Sequence, residues 1–168
     1  MGNTKKLVKV GVVAATALAL LVTAACSSTS GAVPNSPAGR IRPVLVTASV
    51  APGNALSLPL AMIQSNWNSR FAVATPNGQE IFMAYFYKGQ TYIRASVCPP
   101  CQSQSFSLVG DTLVCDACGT VFYAQSGAGK VGPCVRYPKQ AVATQLVDGN
   151  IIMKNADLLA AYQKTLNP

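Results

Sequence analysis

The sequence contains no histidine among its 168 residues. This absence excludes imidazole ligands to zinc, copper or haem iron, and it excludes catalysis by serine–histidine or cysteine–histidine pairs. Acidic residues are scarce, with five in the whole chain, so a mechanism that needs two facing carboxylates has few residues to use. We therefore expect that the protein is not an enzyme with an acid–base site of its own.

Charge is also sparse, because Asp, Glu, Lys and Arg together make up 11% of the chain while apolar residues make up 50%. The net charge is +8, but Lys5, Lys6 and Lys9 stand together at the N-terminus. No basic cluster follows them, so we expect no nucleic-acid partner. The apolar content predicts a folded domain.

The N-terminus has the layout of a secretory signal, which we assign to residues 1–25. A short basic stretch precedes an apolar run over Val10–Val22, and the segment ending at Cys26 resembles the bacterial lipobox. That motif implies cleavage before Cys26 and lipidation of its sulfur; the alternatives are a signal peptide cut nearby and an uncleaved anchor. We expect a lipid-anchored protein at the outer face of the cytoplasmic membrane.

Residues 26–43 are rich in Ser, Gly and Pro, which predicts a flexible tether after the lipidated cysteine. Residues 44–168 then form the predicted β metal-binding domain. Three hairpins are predicted at the turns Lys88-Gly89, Gly110-Asp111 and Asp148-Gly149. Two helices are predicted, a short one over Pro59–Trp67 and a C-terminal one with Asn155 as its N-cap. The fold class is mainly β and antiparallel.

Four of the six cysteines form two C-x-x-C pairs, which are separated by thirteen residues. The pairs are Cys98 with Cys101 and Cys115 with Cys118, and each tight turn directs two sulfurs to one side. Paired knuckles of this kind suit one tetrahedral ion or an iron–sulfur cluster. Spacing alone favours structural zinc, and it leaves open an iron–sulfur cluster, two disulfides or a redox thiol pair.

The two knuckles differ in the hydrogen bonds that their backbones can offer. Pro99 and Pro100 have no N–H group, so we expect the Cys98 sulfur to be less stabilised than that of Cys115. Gly119 follows the second knuckle, where a positive φ would let the chain turn away.

Several segments together resemble a bacterial family of membrane-associated iron–sulfur proteins related to the FtrD component of ferrous iron uptake. They are ASVCPPC, GDTLVCDACGTVF, GAGKVGPC and LVDGNIIM, and the resemblance runs from about Leu58 to Leu159. It implies that the cluster ligands are Cys98, Cys101, Cys115 and Cys118. Cys134 matches the family's fifth cysteine, as a possible extra ligand, a nearby thiol or a buried small residue.

A looser likeness is to the second ligand loop of Rieske proteins, carried by CDACGTVFYAQSGAGKVGP. It implies a Rieske-like β sandwich in which Val135–Lys139 covers the cluster and cysteines stand at the histidine positions, Cys101 and Cys118. Thiolates in place of imidazoles would lower the reduction potential toward that of plant-type ferredoxins. Four basic residues are candidates to offset this if they lie close, although ordinary surface charge is the simpler interpretation: Arg94, Lys130, Arg136 and Lys139.

The sequence therefore predicts a lipid-anchored extracytoplasmic metal-binding protein with an iron–sulfur cluster, [2Fe–2S] being favoured. Its expected role is electron transfer beside a membrane redox or metal-transport protein. The alternatives are a structural Zn(Cys)₄ binding module and a metal-trafficking lipoprotein.

Overall fold

The computed structural model describes Gly2, residues 38–76 and residues 78–168. The predicted lipidation site at Cys26 lies outside the described residues, as does the predicted signal peptide apart from Gly2. Among the helices of the described part, none is long and apolar enough to cross a membrane.

The described residues form thirteen strands and two helices. In chain order they are β1 (Arg40–Ile41), β2 (Val44–Leu45), β3 (Ser49–Ala51), β4 (Ala55–Pro59), α1 (Leu60–Asn66), β5 (Asn68–Thr75), β6 (Gly78–Tyr87), β7 (Gln90–Ala95), β8 (Phe106–Val109), β9 (Thr112–Cys115), β10 (Val121–Tyr123), β11 (Gly129–Val131), β12 (Gln145–Val147), β13 (Asn150–Lys154) and α2 (Asn155–Leu166).

These strands form three sheets. One has the order β1-β8-β9-β10-β11, and we call it the cysteine sheet because Cys115 ends β9. The other two have the orders β12-β13-β4-β3 and β2-β5-β6-β7. Every strand pair is antiparallel except the parallel pair β2 and β5. The predicted mainly β, antiparallel fold with a C-terminal helix is confirmed.

The three predicted hairpins are present, because β6 pairs with β7, β8 with β9 and β12 with β13. The third hairpin is shorter than predicted. Ala141 forms an isolated bridge with Arg94, and the Val142 N–H donates to the Ile93 carbonyl at 2.9 Å. These residues therefore run along β7, and β12 begins only at Gln145.

Two details at the ends of elements differ from the prediction. Asn155 is the first residue of α2, and the N-cap is Lys154, which makes no side-chain capping bond. The Asn155 amide instead donates to the Asn54 side-chain oxygen at 2.8 Å. Arg40–Ile41, placed in the tether by its composition, forms β1 because Val109 and Leu108 of β8 provide strand partners.

Strand β6 separates two hydrophobic cores, since its alternate side chains point to opposite faces. Phe82, Ala84 and Phe86 join one core with the helices, whereas Met83, Tyr85 and Tyr87 join the other. This explains why consecutive aromatic residues are all buried. The second core also contains Phe106, Leu108, Leu113 and Phe122 together with Cys98, Cys115 and Cys134, so the thiols lie against an apolar wall.

Candidate metal centre

The four predicted ligands come together in one place. Cys98 and Cys101 lie in the loop after β7, Cys115 ends β9, and Cys118 precedes β10. Their sulfur atoms all lie within 4.8 Å of one another, and the sulfurs of Cys101 and Cys115 are 3.7 Å apart. The first knuckle precedes β8 and the second begins at the end of β9. The hairpin formed by these two strands therefore places the two knuckles side by side.

Backbone hydrogen bonds shape each knuckle. The Cys98 N–H donates to the Ser103 carbonyl at 2.8 Å, which closes the first loop. In the second, the Gly119 N–H donates to the Cys115 carbonyl at 3.0 Å, and Gly119 has a φ of 70°. That left-handed conformation strains residues with a side chain, so glycine is the residue that suits this turn.

The four sulfurs differ in exposure and in ionisation. Cys98 and Cys115 are buried, whereas Cys101 and Cys118 are partly exposed. One edge of the group of four sulfurs therefore reaches solvent. Burial raises the pKa of the Cys98 thiol. Burial opposes ionisation of Cys118 too, but hydrogen bonds from the hydroxyl and backbone of Thr120 outweigh it, and its pKa is lowered to about 6.

The two knuckles differ in the backbone hydrogen bonds that their first sulfur can accept. Burial raises the pKa of Cys115, while hydrogen bonds from the Cys118 and Ala117 backbones act in the opposite direction. Pro100 occupies the position in the first knuckle that corresponds to Ala117, and it has no N–H to donate. The equivalent bond to the Cys98 sulfur therefore cannot form.

Cys134 lies against both knuckles. It is buried, its sulfur is 3.7 Å from that of Cys118, and a further contact with Cys98 contributes to the raised pKa of that thiol. The Cys134 N–H donates to the Thr120 hydroxyl at 3.1 Å, which fixes its position. Cys134 therefore lies directly beside the four sulfurs that are within 4.8 Å of one another.

The segment over residues 124–139, which includes β11, carries Cys134 and Lys139 against the site, and Arg94 holds both of its ends. The guanidinium donates to the Gln125 carbonyl at 2.6 Å, the Lys139 carbonyl at 2.8 Å and the Tyr85 hydroxyl at 2.7 Å. The Tyr85 hydroxyl in turn donates to the Ala124 carbonyl at 2.5 Å. Burial raises the pKa of Tyr85 to about 12, although Arg94 opposes this, so Tyr85 stays a neutral donor.

The four basic residues named from the sequence divide into two groups. Lys130 and Arg136 are exposed, as ordinary surface charge predicts. Arg94 is 4% exposed and Lys139 is 0% exposed, so for these two the surface interpretation is wrong. Lys139 belongs to the segment Val135–Lys139 that the sequence predicts to cover the cluster.

Asp116, inside the second knuckle, is a structural residue that the sequence reasoning missed. Its carboxylate accepts hydrogen bonds from Ser105 at 2.5 Å and Ser107 at 2.6 Å, and it pairs with Arg40 at 2.6 Å. Burial acts to raise its pKa, but these hydrogen bonds and the Arg40 charge together lower it. Strand β1 is therefore attached directly to the second knuckle.

The donor set fits a thiophilic metal. Four sulfurs from two knuckles match the ligands of Cys₄ zinc sites and of iron–sulfur clusters, and zero histidines leave no imidazole alternative. A mainly β domain with this thiol group defines a metal-binding protein of the knuckle type.

The sequence comparison identifies the family. Residues 63–164 match the family described as "Membrane iron-sulfur containing protein FtrD-like". The match covers more than half of the chain, which therefore belongs to this family, and the resemblance predicted from the sequence is confirmed. No curated protein sequence matches the chain.

Three solved structures are similar to this chain to different degrees. A chain from "Complex of reduced oxygenase and oxidized ferredoxin in carbazole 1,9a-dioxygenase" is 18% identical, with a TM-score of 0.50, over 60% of this chain and 93% of that one. The cyanobacterial plasma membrane Rieske protein PetC3 from Synechocystis PCC 6803 is 23% identical over 57% and 94% of the two chains, with a TM-score of 0.44. The Sphingomonas yanoikuyae B1 ferredoxin is 20% identical over 50% and 84%, with a TM-score of 0.40. The first of these likenesses extends over most of its own chain, and the predicted Rieske-like β fold is confirmed.

Proposed function

We propose that this protein transfers electrons at a membrane surface through an iron–sulfur centre held by Cys98, Cys101, Cys115 and Cys118. The observation that carries the proposal is the match to the family described as "Membrane iron-sulfur containing protein FtrD-like", in a chain whose four knuckle cysteines meet in one place. A bound iron–sulfur centre supplies one-electron chemistry at a potential set by its ligands and surroundings. The chain supplies the ligands and the apolar wall behind them.

The surroundings of the thiols suit this role. Phe106, Leu113 and Phe122 pack behind the site and exclude water from its interior side. Cys101 and Cys118 lie at the exposed edge, which is where a partner could approach. We propose a [2Fe–2S] centre with four thiolate ligands, and hence a potential closer to that of plant-type ferredoxins than of Rieske centres.

The second candidate function is a structural site for one zinc ion, which the compactness of the sulfur group favours. Zinc–sulfur bonds of about 2.3 Å place tetrahedral sulfurs about 3.8 Å apart. The sulfurs of Cys101 and Cys115 are 3.7 Å apart, and the sulfurs of all four ligands lie within 4.8 Å of one another. A binuclear iron centre, which assigns two sulfurs to each iron, requires the four ligands to spread further.

The location is part of the proposal. The family name describes membrane proteins, and we propose attachment through a lipid on Cys26 at the outer face of the cytoplasmic membrane. The proposed partner is a membrane redox or metal-transport protein, and the proposed role is not enzymatic. Replacing Cys26 with serine should release the chain from the membrane fraction and abolish incorporation of labelled fatty acid; retention of both would refute the anchor.

The test of the centre is an absorption spectrum with metal and sulfide analysis on the full chain, purified without oxygen. Visible absorption that bleaches with dithionite, with iron and sulfide present, supports electron transfer. Serine at Cys101 or Cys118 should abolish it, whereas serine at Cys134 should not. A colourless protein with one zinc per chain would refute electron transfer in favour of the zinc site, and exchangeable metal would favour trafficking.

A further inference from the structure

Lys139 occupies an unusual position for a charged side chain. It is 0% exposed, and its ammonium donates to the Val97 carbonyl at 2.6 Å. The same nitrogen lies 4.6 Å from the ring centre of Phe122 and 5.1 Å from that of Phe106. A carbonyl and two ring faces attract a cation, but a buried ammonium also requires an anion to offset its lost hydration.

Carboxylates do not provide that anion. The ion pair found among the described residues joins Arg40 to Asp116, and no carboxylate there pairs with Lys139. Burial lowers the pKa of Lys139, and the charges that oppose this belong to Cys98, Cys115, Cys134 and Cys101. The groups that can supply this anion are therefore the cysteine sulfurs, which lose their protons when they bind a metal.

The arrangement of the chain places the ammonium on the interior side of the centre. Val97, whose carbonyl it binds, directly precedes Cys98, and Phe106 pairs across the sheet with Cys115. Cys98 and Cys115 are the two buried sulfurs among the four ligands. Solvent can screen the exposed edge, but it does not reach this side, where a fixed charge acts with little screening.

We propose that Lys139 is the internal counter-charge of the metal centre, which strengthens metal binding and favours the reduced state of an iron–sulfur centre. The proposal rests on the ligand set given above, but it does not depend on electron transfer. Four thiolates around either zinc or a [2Fe–2S] core leave a net negative charge, and the ammonium lowers the cost of burying it. In the metal-free protein, with neutral thiols, the same ammonium lacks its partner.

The first test measures Zn²⁺ affinity by chelator competition on the full chain, stripped and reloaded. Lys139→Met removes the buried charge, and Lys130→Met is the matched control because Lys130 is exposed. We expect Lys139→Met to bind Zn²⁺ at least tenfold more weakly, and this loss should persist in high salt. Lys130→Met should bind Zn²⁺ less than twofold more weakly. Lys139→Arg should recover part of the loss. Equal effects of the two methionine variants would overturn the proposal.

The second test separates charge compensation from packing by comparing urea unfolding of the metal-free and zinc-loaded chains. Lys139→Met should lower the midpoint of the loaded protein more than that of the metal-free protein. Equal losses in both forms would reveal a merely structural lysine and refute the proposal. Lys139→Gln, which keeps a donor for the Val97 carbonyl, gives a second uncharged variant should the methionine variant fail to fold.

The third test uses the chain isolated with iron and sulfide. Lys139→Met should make reduction at least tenfold less favourable, a downward shift of about 59 mV for one electron, and Lys130→Met should shift the potential less. A chain that binds no iron would refute the proposed electron transfer while the zinc measurements still decide the role of Lys139. An iron-loaded Lys139→Met variant with an unchanged potential would refute the counter-charge alone.

Discussion

Replacement of Gly127 by alanine tests whether the loop that carries Lys139 is as tightly held as its contacts indicate. A Cβ atom at this position would lie 2.2 Å from the Lys139 carbonyl oxygen and 2.7 Å from the Arg94 guanidinium. Gly127 also has a φ of 75°, which disfavours alanine by itself. The substitution therefore adds backbone strain and pushes apart a hydrogen-bonded pair.

The magnitude follows from these two contributions. A left-handed conformation costs a residue with a Cβ about 1–2 kcal/mol. The Arg94 bond to the Lys139 carbonyl, 2.8 Å long, is charge-assisted, and its loss costs about 1.5–3 kcal/mol. We expect Gly127→Ala to lower the free energy of unfolding by about 2.5–5 kcal/mol.

Gly89→Ala is the matched control, because Gly89 has the same φ of 75° and no atom within 4 Å of the added Cβ. It should cost only the strain of about 1–2 kcal/mol. Urea unfolding of both variants, with metal content measured alongside, makes the comparison. Equal losses would refute the reasoning, since the contact with Lys139 and Arg94 would then contribute nothing.

Three further predictions concern other parts of the described domain. Asn68 is 0% exposed and donates to the Ile41 and Phe106 carbonyls at 2.9 Å each, so Asn68→Ala should lower the free energy of unfolding by about 2–3 kcal/mol in urea. Burial raises the pKa of Glu80, so its ionisation opposes folding. Glu80→Gln should therefore be more stable than wild type at neutral pH. In a series of unfolding curves at different pH, this difference in stability should disappear below the ordinary pKa of 4.5. Cys134→Ser should retain the metal but release it faster to a chelator, because its sulfur packs 3.7 Å from Cys118; loss of all metal would make Cys134 a ligand.

Local signals made much of the site predictable. The two C-x-x-C pairs and the glycine turns act within a few residues, so the knuckles and the hairpin of β8 and β9 follow from the sequence. The buried state of Lys139 does not, because it depends on β8 and β10, which bring Phe106 and Phe122 against it from distant parts of the chain. A charged residue between Pro138 and Gln140 gives no local indication of burial.

The same dependence on residues distant in the sequence explains where the predicted elements differ from the observed ones. Asn155 resembles an N-cap by residue type, yet its side chain is used by Asn54, which lies far away in the sequence. Arg40–Ile41 lacks a local strand pattern. It forms β1 because it pairs with β8 and because Arg40 forms an ion pair with Asp116. In each case a partner distant in sequence decides the local structure.

The positions of the knuckles also bear on the order in which the chain folds. Cys98–Cys118 enclose one hairpin, so bringing the sulfurs together closes a short loop at low entropic cost. The pairing of β4 with β13 instead joins Ala55–Pro59 to Asn150–Lys154, near opposite ends of the domain. Pairings between distant segments form slowly. We therefore expect the thiol site to assemble early, so that a nascent chain could capture metal before the sheet of β4 and β13 closes.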